Sequence, residues 1–133
     1  MTNTAVALIG FIAWTLALLI LMETIRTWLV ATGKVPANGF TPDNRNLSPF
    51  MQRLARAHAN CVEGLPVFGG LLIFAIVIGA TAITDGLALW LLVARIVQSI
   101  IHLLSTSAVA VSARFTAFAV QMAIGVYWIV GLT

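Results

Sequence analysis

The sequence predicts an all-α integral membrane protein in which four transmembrane helices form an up-down bundle. Two observations predict this fold class. Hydrophobic residues make up 61% of the 133 residues and charged residues only 8%, whereas charged residues are roughly a quarter of a soluble domain. In addition, four segments reach the length of about 20 mostly apolar residues that a helix needs to cross the hydrocarbon core. We therefore expect residues 1–133 to form a single four-helix transmembrane domain.

The first two predicted helices flank the only substantial loop. The first transmembrane segment covers about residues 5–31, and residues 32–47 contain two glycines, two prolines and a polar run, a composition that breaks helices and prefers water. Ser48 and Pro49 match the N-cap and first-turn positions of a helix. The second transmembrane segment is therefore expected over about residues 48–83.

The third and fourth predicted helices follow after short links. We expect them over about residues 86–106 and 113–132. Short links make consecutive helices antiparallel neighbours. Each segment must be helical, because an open strand would leave backbone groups without hydrogen bonds in lipid.

Charge is distributed unequally between the two ends of this bundle. One end has only Asp85, while the other collects six basic residues: Arg26, Lys34, Arg45, Arg53, Arg56 and Arg114. By the positive-inside rule the basic end faces the cytoplasm, and the short loops favour a bacterial inner membrane. Because the basic residues adjoin long apolar segments, we expect membrane lipid and no nucleic acid as a partner.

Polar side chains recur at helical spacing on two of the predicted helices. Spacings of three and four residues keep such side chains on one helix face. The stripe on the second helix comprises Arg53, Arg56, Asn60 and Glu63. The stripe on the third helix comprises Arg95, Gln98 and His102. If the two stripes face each other, they form a polar seam inside the bundle.

Charged groups at membrane depth are costly and persist when they are paired, buried or functional. We predict an ion pair between Glu63 and Arg95, which could serve only to fix the helix register. A ligand site is the alternative, and the surplus of arginines favours it, since guanidinium groups suit an anionic ligand. Those arginines could instead serve topology and lipid headgroups. No third ligand has helical spacing with His58 or His102, so we expect no metal site.

The second helix carries a specific motif, R-x-x-R-A-H-x-N-x-x-E-x-x-P-x-F, from Arg53 to Phe68. Ala94-Arg95 in the third helix and Ser112-Ala113-Arg114 before the fourth follow it in order. The chain thereby resembles the MAPEG family, the membrane-associated proteins in eicosanoid and glutathione metabolism, over almost its whole length. The resemblance implies a homotrimer that holds glutathione between adjacent subunits near the cytoplasmic side.

The resemblance also implies roles for individual residues. Arg114 is similar to the arginine that stabilises the glutathione thiolate. From their spacing alone, Arg95, Gln98 and His102 are expected to be buried polar support. The implied glutathione-binding set is Arg26, Arg53, Arg56, His58, Asn60 and Glu63. Glutathione is then a co-substrate, and the second substrate is a hydrophobic electrophile or lipid hydroperoxide that arrives through the bilayer. The function implied is that of a glutathione transferase or peroxidase.

Two departures from the family pattern motivate an alternative. His102 stands where many members carry a tyrosine, and Cys61 stands where some carry an aspartate. The alternative is a lipid-binding or partner-binding membrane protein without catalytic activity. A proton-linked transporter that uses Glu63 and His102 is a third hypothesis, disfavoured because four spans without a pair of broken helices offer little machinery for alternating access.

Overall fold

The structure is a computed structural model that describes all 133 residues. It contains four long helices and no strand, and each helix is long and apolar enough to cross a membrane. We number the helices in chain order: α1 Asn3–Ala31, α2 Pro49–Val77, α3 Thr81–Leu104 and α4 Ala108–Leu132. The predicted fold class, an all-α four-helix membrane bundle, is confirmed.

Side chains cap the start of three of the helices. The Thr2 hydroxyl accepts a hydrogen bond from the Ala5 N–H at the start of α1, at 3.1 Å. The hydroxyls of Ser48 and Ser107 do the same for α2 and α4. Such caps satisfy N–H groups that have no partner within the helix.

The ends of three helices differ from the sequence-based expectation. α2 ends at Val77 rather than near residue 83, because Gly79 takes a positive φ of 70°. α3 therefore begins at Thr81 rather than near residue 86, which places Asp85 inside the helix instead of in a link. α4 begins at Ala108, directly after its Ser107 cap, rather than near residue 113.

α2 contains a π-helical turn at Leu65–Gly69. Pro66 lies at the start of this turn and has no N–H to continue the α-helical hydrogen-bond pattern. π-turns within α-helices frequently occur at functional sites. Here the turn separates an N-terminal part of α2, Pro49–Gly64, from a C-terminal part, Gly70–Val77.

The loop between α1 and α2 is held by its own polar side chains. Asn44 is fully buried with a positive φ of 55°, and its Nδ2 donates to the Met51 carbonyl at 2.8 Å. Hydrogen bonds from the Thr41 hydroxyl and the Arg45 N–H hold the pKa of Asp43 below its usual range. The loop therefore packs against the bundle at one end, which we call the loop end.

α3 is the central helix of the bundle. It packs against α1, α2 and α4, and its contact with α4 is the most extensive in the protein. α4 also packs against Gly70–Val77 of α2, but no comparable contact joins it to Pro49–Gly64. The N-terminal parts of α2 and α4 therefore leave a cleft between them at the loop end, with α3 as its floor.

Candidate functional site

The cleft contains a cavity of about 380 Å³, which we call the polar cavity. All three helices around the cleft contribute to its wall. The lining residues are Arg56, Ala59, Asn60 and Glu63 from α2, Gln98 and His102 from α3, and Val111, Arg114, Phe115 and Phe118 from α4. Five of the seven residues in the two polar stripes thus meet at one cavity.

Helical periodicity explains why these side chains converge. Arg56, Asn60 and Glu63 follow one another at spacings of four and three residues, so they share a face of α2. Gln98 and His102 are one turn apart on α3 and are 5% and 3% exposed. The cleft therefore opens over polar groups rather than over the apolar core.

Hydrogen bonds between amides and an imidazole fix the floor of the polar cavity. Asn60 Nδ2 lies 3.2 Å from His102 Nδ1. Gln121 Nε2 donates to Gln98 Oε1 at 2.8 Å. The second ring nitrogen of His102, Nε2, is buried and has no hydrogen-bond partner in the protein.

The charged groups of the polar cavity form no ion pairs with each other or with other residues. The ion pairs of the structure are Arg26–Glu23 and Arg45–Asp43, both away from the cavity. Arg56, Arg114 and Glu63 thus bring two cations and one anion to the cavity wall. No group of three or more His, Cys, Asp or Glu side chains comes together in a way that could hold a metal ion.

A second cavity of about 280 Å³ continues from the polar cavity away from the loop end. We call it the apolar cavity, because bulky apolar side chains dominate its wall. Its lining residues are Asn60, Glu63, Gly64, Val67, Phe68, Phe118 and Met122. Asn60, Glu63 and Phe118 line both cavities. A charged ligand and an apolar ligand could therefore lie in contact with each other at these shared residues.

The predicted ion pair between Glu63 and Arg95 is wrong. Arg95 is 1% exposed, and its Nη1 donates to the Asn60 carbonyl at 3.3 Å. A Cβ atom at Gly64 would lie only 2.6 Å from Arg95 Nη2, so the absence of a side chain there makes room for the guanidinium. Arg95 occupies this space beside the α2 backbone, whereas Glu63 is exposed and lines the two cavities.

Aromatic rings surround the Arg95 guanidinium in place of a carboxylate. Its central carbon lies 5.2 Å from the ring centroid of Phe11, 5.9 Å from that of Phe118 and 6.0 Å from that of Phe68. A cation within about 6 Å of a ring face is attracted by the quadrupole of the ring. Arg95 thus links α1, α2 and α4 to α3 and lies behind the wall of the cavities.

Three residues of the expected glutathione-binding set lie outside the polar cavity. The Arg26 guanidinium donates to Asn44 Oδ1 at 2.5 and 3.1 Å and thereby holds the loop. Arg53 Nε donates to the Leu103 carbonyl at 2.9 Å. His58 is partly buried on another face of α2. The structure brings together the other members of that set, Arg56, Asn60 and Glu63, with Arg114.

Sequence reasoning missed the contribution of apolar residues on α4. Val111, Phe115 and Phe118 line the polar cavity at spacings of four and three residues, on either side of Arg114. That spacing was a usable signal, because it places all four side chains on one helix face. An apolar residue in a transmembrane helix is uninformative by itself, so the sequence did not single these positions out.

Comparisons with known proteins bear on the whole of this arrangement. A sequence profile of the MAPEG family matches residues 4–133, nearly the entire chain. The match includes the four helices except for Asn3, the first residue of α1, and it includes every residue that lines the two cavities. The comparisons with curated proteins and with solved structures found no match.

Proposed function

The chain belongs to the MAPEG family, and from that premise we propose that it is a membrane-bound, glutathione-dependent transferase or peroxidase. Its substrates would be hydrophobic electrophiles or lipid hydroperoxides. Membership of the family supports a membrane function related to glutathione or eicosanoids in general. The observation that carries the finer proposal is the polar cavity of about 380 Å³ with an apolar cavity next to it.

The polar cavity suits the charges of glutathione. The tripeptide carries two carboxylates, one ammonium group and a thiol, and the cavity offers Arg56 and Arg114 as cations and Glu63 as an anion. Arginine forms bidentate hydrogen bonds with carboxylates. We assign Arg56 to a carboxylate, Glu63 to the ammonium group and Asn60 to a polar contact. Arg26, Arg53 and His58, which the family resemblance adds to the set, lie outside this cavity in the single chain.

Arg114 would stabilise the glutathione sulfur as a thiolate, the form that acts as a nucleophile. In a transferase reaction the thiolate forms a bond to an electrophilic carbon, and the leaving group departs with its electron pair. The apolar cavity would hold the electrophile, because Phe68, Phe118 and Met122 offer it an apolar wall. Asn60 lines both cavities, so the two reactants would meet beside it.

We further propose that the protein is a homotrimer with its glutathione sites between adjacent subunits. The cleft is open in the single chain, since Arg56 and Glu63 are exposed. No position in residues 108–120 of α4 is buried, and two large apolar side chains there, Val109 and Phe115, are 79% and 62% exposed. A neighbouring subunit would cover such a surface. The basic loop end would face the cytoplasm of a bacterial inner membrane, as the positive-inside rule predicts.

Substitution of Arg114 tests the catalytic proposal. We expect purified protein to conjugate glutathione to a hydrophobic electrophile, and Arg114→Ala to reduce kcat/KM by about 10- to 100-fold, the loss expected for one hydrogen bond to a charged group. Arg45→Ala is the matched control, because Arg45 is an exposed loop residue paired only with Asp43. Absence of turnover in the unsubstituted protein, or equal turnover in Arg114→Ala, would contradict the proposal.

The apolar cavity also supports a second candidate, a lipid-binding protein without catalytic activity. A cavity of about 280 Å³ beside an unpaired Glu63 could hold part of a lipid chain. This candidate predicts lipid that co-purifies with the protein and no glutathione-dependent turnover. Glutathione-dependent turnover that Arg114→Ala reduces as stated above would exclude it.

A further inference from the structure

We propose that Gly125 limits the length of the apolar group that the apolar cavity accepts. Gly125 does not line the cavity, but the absence of a side chain there lets the Phe68 ring lie against α4 and gives the cavity its depth. The inference rests on the proposed function, since it takes the apolar cavity to hold the hydrophobic substrate. It makes Gly125 a positioning residue for Phe68 and thereby a determinant of substrate length.

Phe68 closes the end of the apolar cavity that is farthest from the loop end. α2 and α4 both run away from the loop end, and Phe68 and Met122 are the last residues of each helix that line the cavity. Phe68 is 4% exposed, whereas Met122 is 39% exposed. The Phe68 ring therefore forms the closed end of the cavity, and Met122 lies on its open side.

α2 and α4 come into contact directly beyond this closed end. Gly125 lies one turn after Met122 on α4 and is buried. A Cβ atom added to Gly125 would lie 3.2 Å from Phe68 Cε1 and 3.8 Å from Leu71 Cδ1. The two helices therefore pack together from Gly125 onward and diverge on the side of the loop end, where the cavity lies.

A side chain at Gly125 would displace the Phe68 ring. Carbon atoms pack best at about 3.5 to 4.0 Å, so a contact of 3.2 Å requires a neighbour to move by a few tenths of an ångström. α4 is held by its contact with α3, which is the most extensive in the protein. We therefore expect the ring to move rather than the helix.

The free space next to the Phe68 ring lies in the apolar cavity. Another side of the ring faces the Arg95 guanidinium, whose central carbon is 6.0 Å from the ring centroid. Arg95 cannot recede, because it already lies beside Gly64 and the Phe11 ring. A side chain at Gly125 would therefore shorten the cavity from its closed end.

S-alkyl derivatives of glutathione test this inference, since the tripeptide can occupy the polar cavity while the alkyl chain extends into the apolar cavity. Each additional CH₂ group that is buried should tighten binding by about fourfold. We expect the Kd of the unsubstituted protein, measured by calorimetry in detergent, to fall with chain length from S-methylglutathione onward. The Kd should level off once the chain reaches Phe68.

Gly125→Ala should reach this limit at a shorter chain length. S-methylglutathione should bind within about twofold of the unsubstituted protein, while long chains should bind about fourfold more weakly for each CH₂ group that no longer fits. The ratio of the two Kd values at each chain length removes the effect of partition into detergent. Phe68→Leu in the Gly125→Ala background removes the ring contact and should restore the binding of long chains.

Phe68→Leu alone tests the closed end without a change at Gly125. A smaller side chain there should move the limit to longer chains, and an unchanged limit would overturn the inference. Gly86→Ala is the matched control for the added methyl group, because no atom lies within 4 Å of its added Cβ. It should leave every Kd unchanged.

The dependence on chain length separates this inference from a general loss of stability and from the proposed function. Equal weakening at all chain lengths in Gly125→Ala, no change at any length, or no recovery in the double variant would overturn the inference while the proposed function stands. The same holds if the unsubstituted protein binds S-methylglutathione but gains no affinity with longer chains. If it binds no member of the series, both fail.

Discussion

At the scale of single residues, one glycine decides where a buried cation lies. The stripes in the sequence place Glu63 and Arg95 on facing helices, and an ion pair between them was the natural prediction. The structure places the Arg95 guanidinium beside Gly64 instead, where a Cβ would lie 2.6 Å from Nη2. Periodicity predicts which face of a helix a side chain occupies, but it does not predict the space that a missing side chain leaves on the neighbouring helix.

This close contact predicts that Gly64→Ala destabilises the protein. The added methyl group would displace a buried guanidinium that contacts Asn60 and three aromatic rings. We expect a loss of about 1 to 3 kcal/mol, as for overpacking of a well-packed site, measured as a lower unfolding midpoint in detergent. Gly70→Ala is the matched control, because no atom lies within 4 Å of its added Cβ. Equal midpoints for the two variants would contradict this reading of Gly64.

At the scale of helices, composition and caps predicted the number and order of the elements better than their ends. The start of α2 could be predicted from the sequence, because the capping residue Ser48 stands directly before Pro49. The end of α2 could not be predicted, since the apolar run continues through Gly79 to residue 83, while the chain turns at Gly79. Once α3 starts at Thr81, Asp85 Oδ1 accepts from the N–H and the hydroxyl of Thr4, at 2.9 and 2.6 Å.

The positive φ of Gly79 predicts how substitutions there behave. Any residue with a Cβ is strained in the left-handed region, by about 1 to 2 kcal/mol, and asparagine less than others. No atom lies within 4 Å of a Cβ added at Gly79, so the effect is conformational and not steric. We expect the unfolding midpoint to be highest for the unsubstituted protein, lower for Gly79→Asn and lowest for Gly79→Ala. A higher midpoint for Gly79→Ala than for Gly79→Asn would show that the turn does not depend on this conformation.

At the scale of the whole molecule, the cavities exist because α4 packs against α3 and the C-terminal part of α2 but leaves the N-terminal part of α2 uncovered. The family motif and the arginine count led from sequence to the polar residues of this cleft. They could not predict the apolar wall from α4, nor that Arg26 and Arg53 bind Asn44 and the Leu103 carbonyl. Those contacts depend on how the loop between α1 and α2 packs against α1, and on how the C-terminal end of α3 packs against α2.

The central claim is that the polar cavity binds glutathione, and thermal unfolding in detergent tests it most directly. A ligand that binds only the folded state at about 100 times its Kd stabilises that state by about 2.7 kcal/mol. We predict that glutathione, and less strongly its analogue without the thiol, raises the unfolding midpoint of the protein and of Arg45→Ala, but not that of a variant with both Arg56→Ala and Glu63→Gln. A midpoint that glutathione does not change, or one that it raises equally in the double variant, would contradict the account.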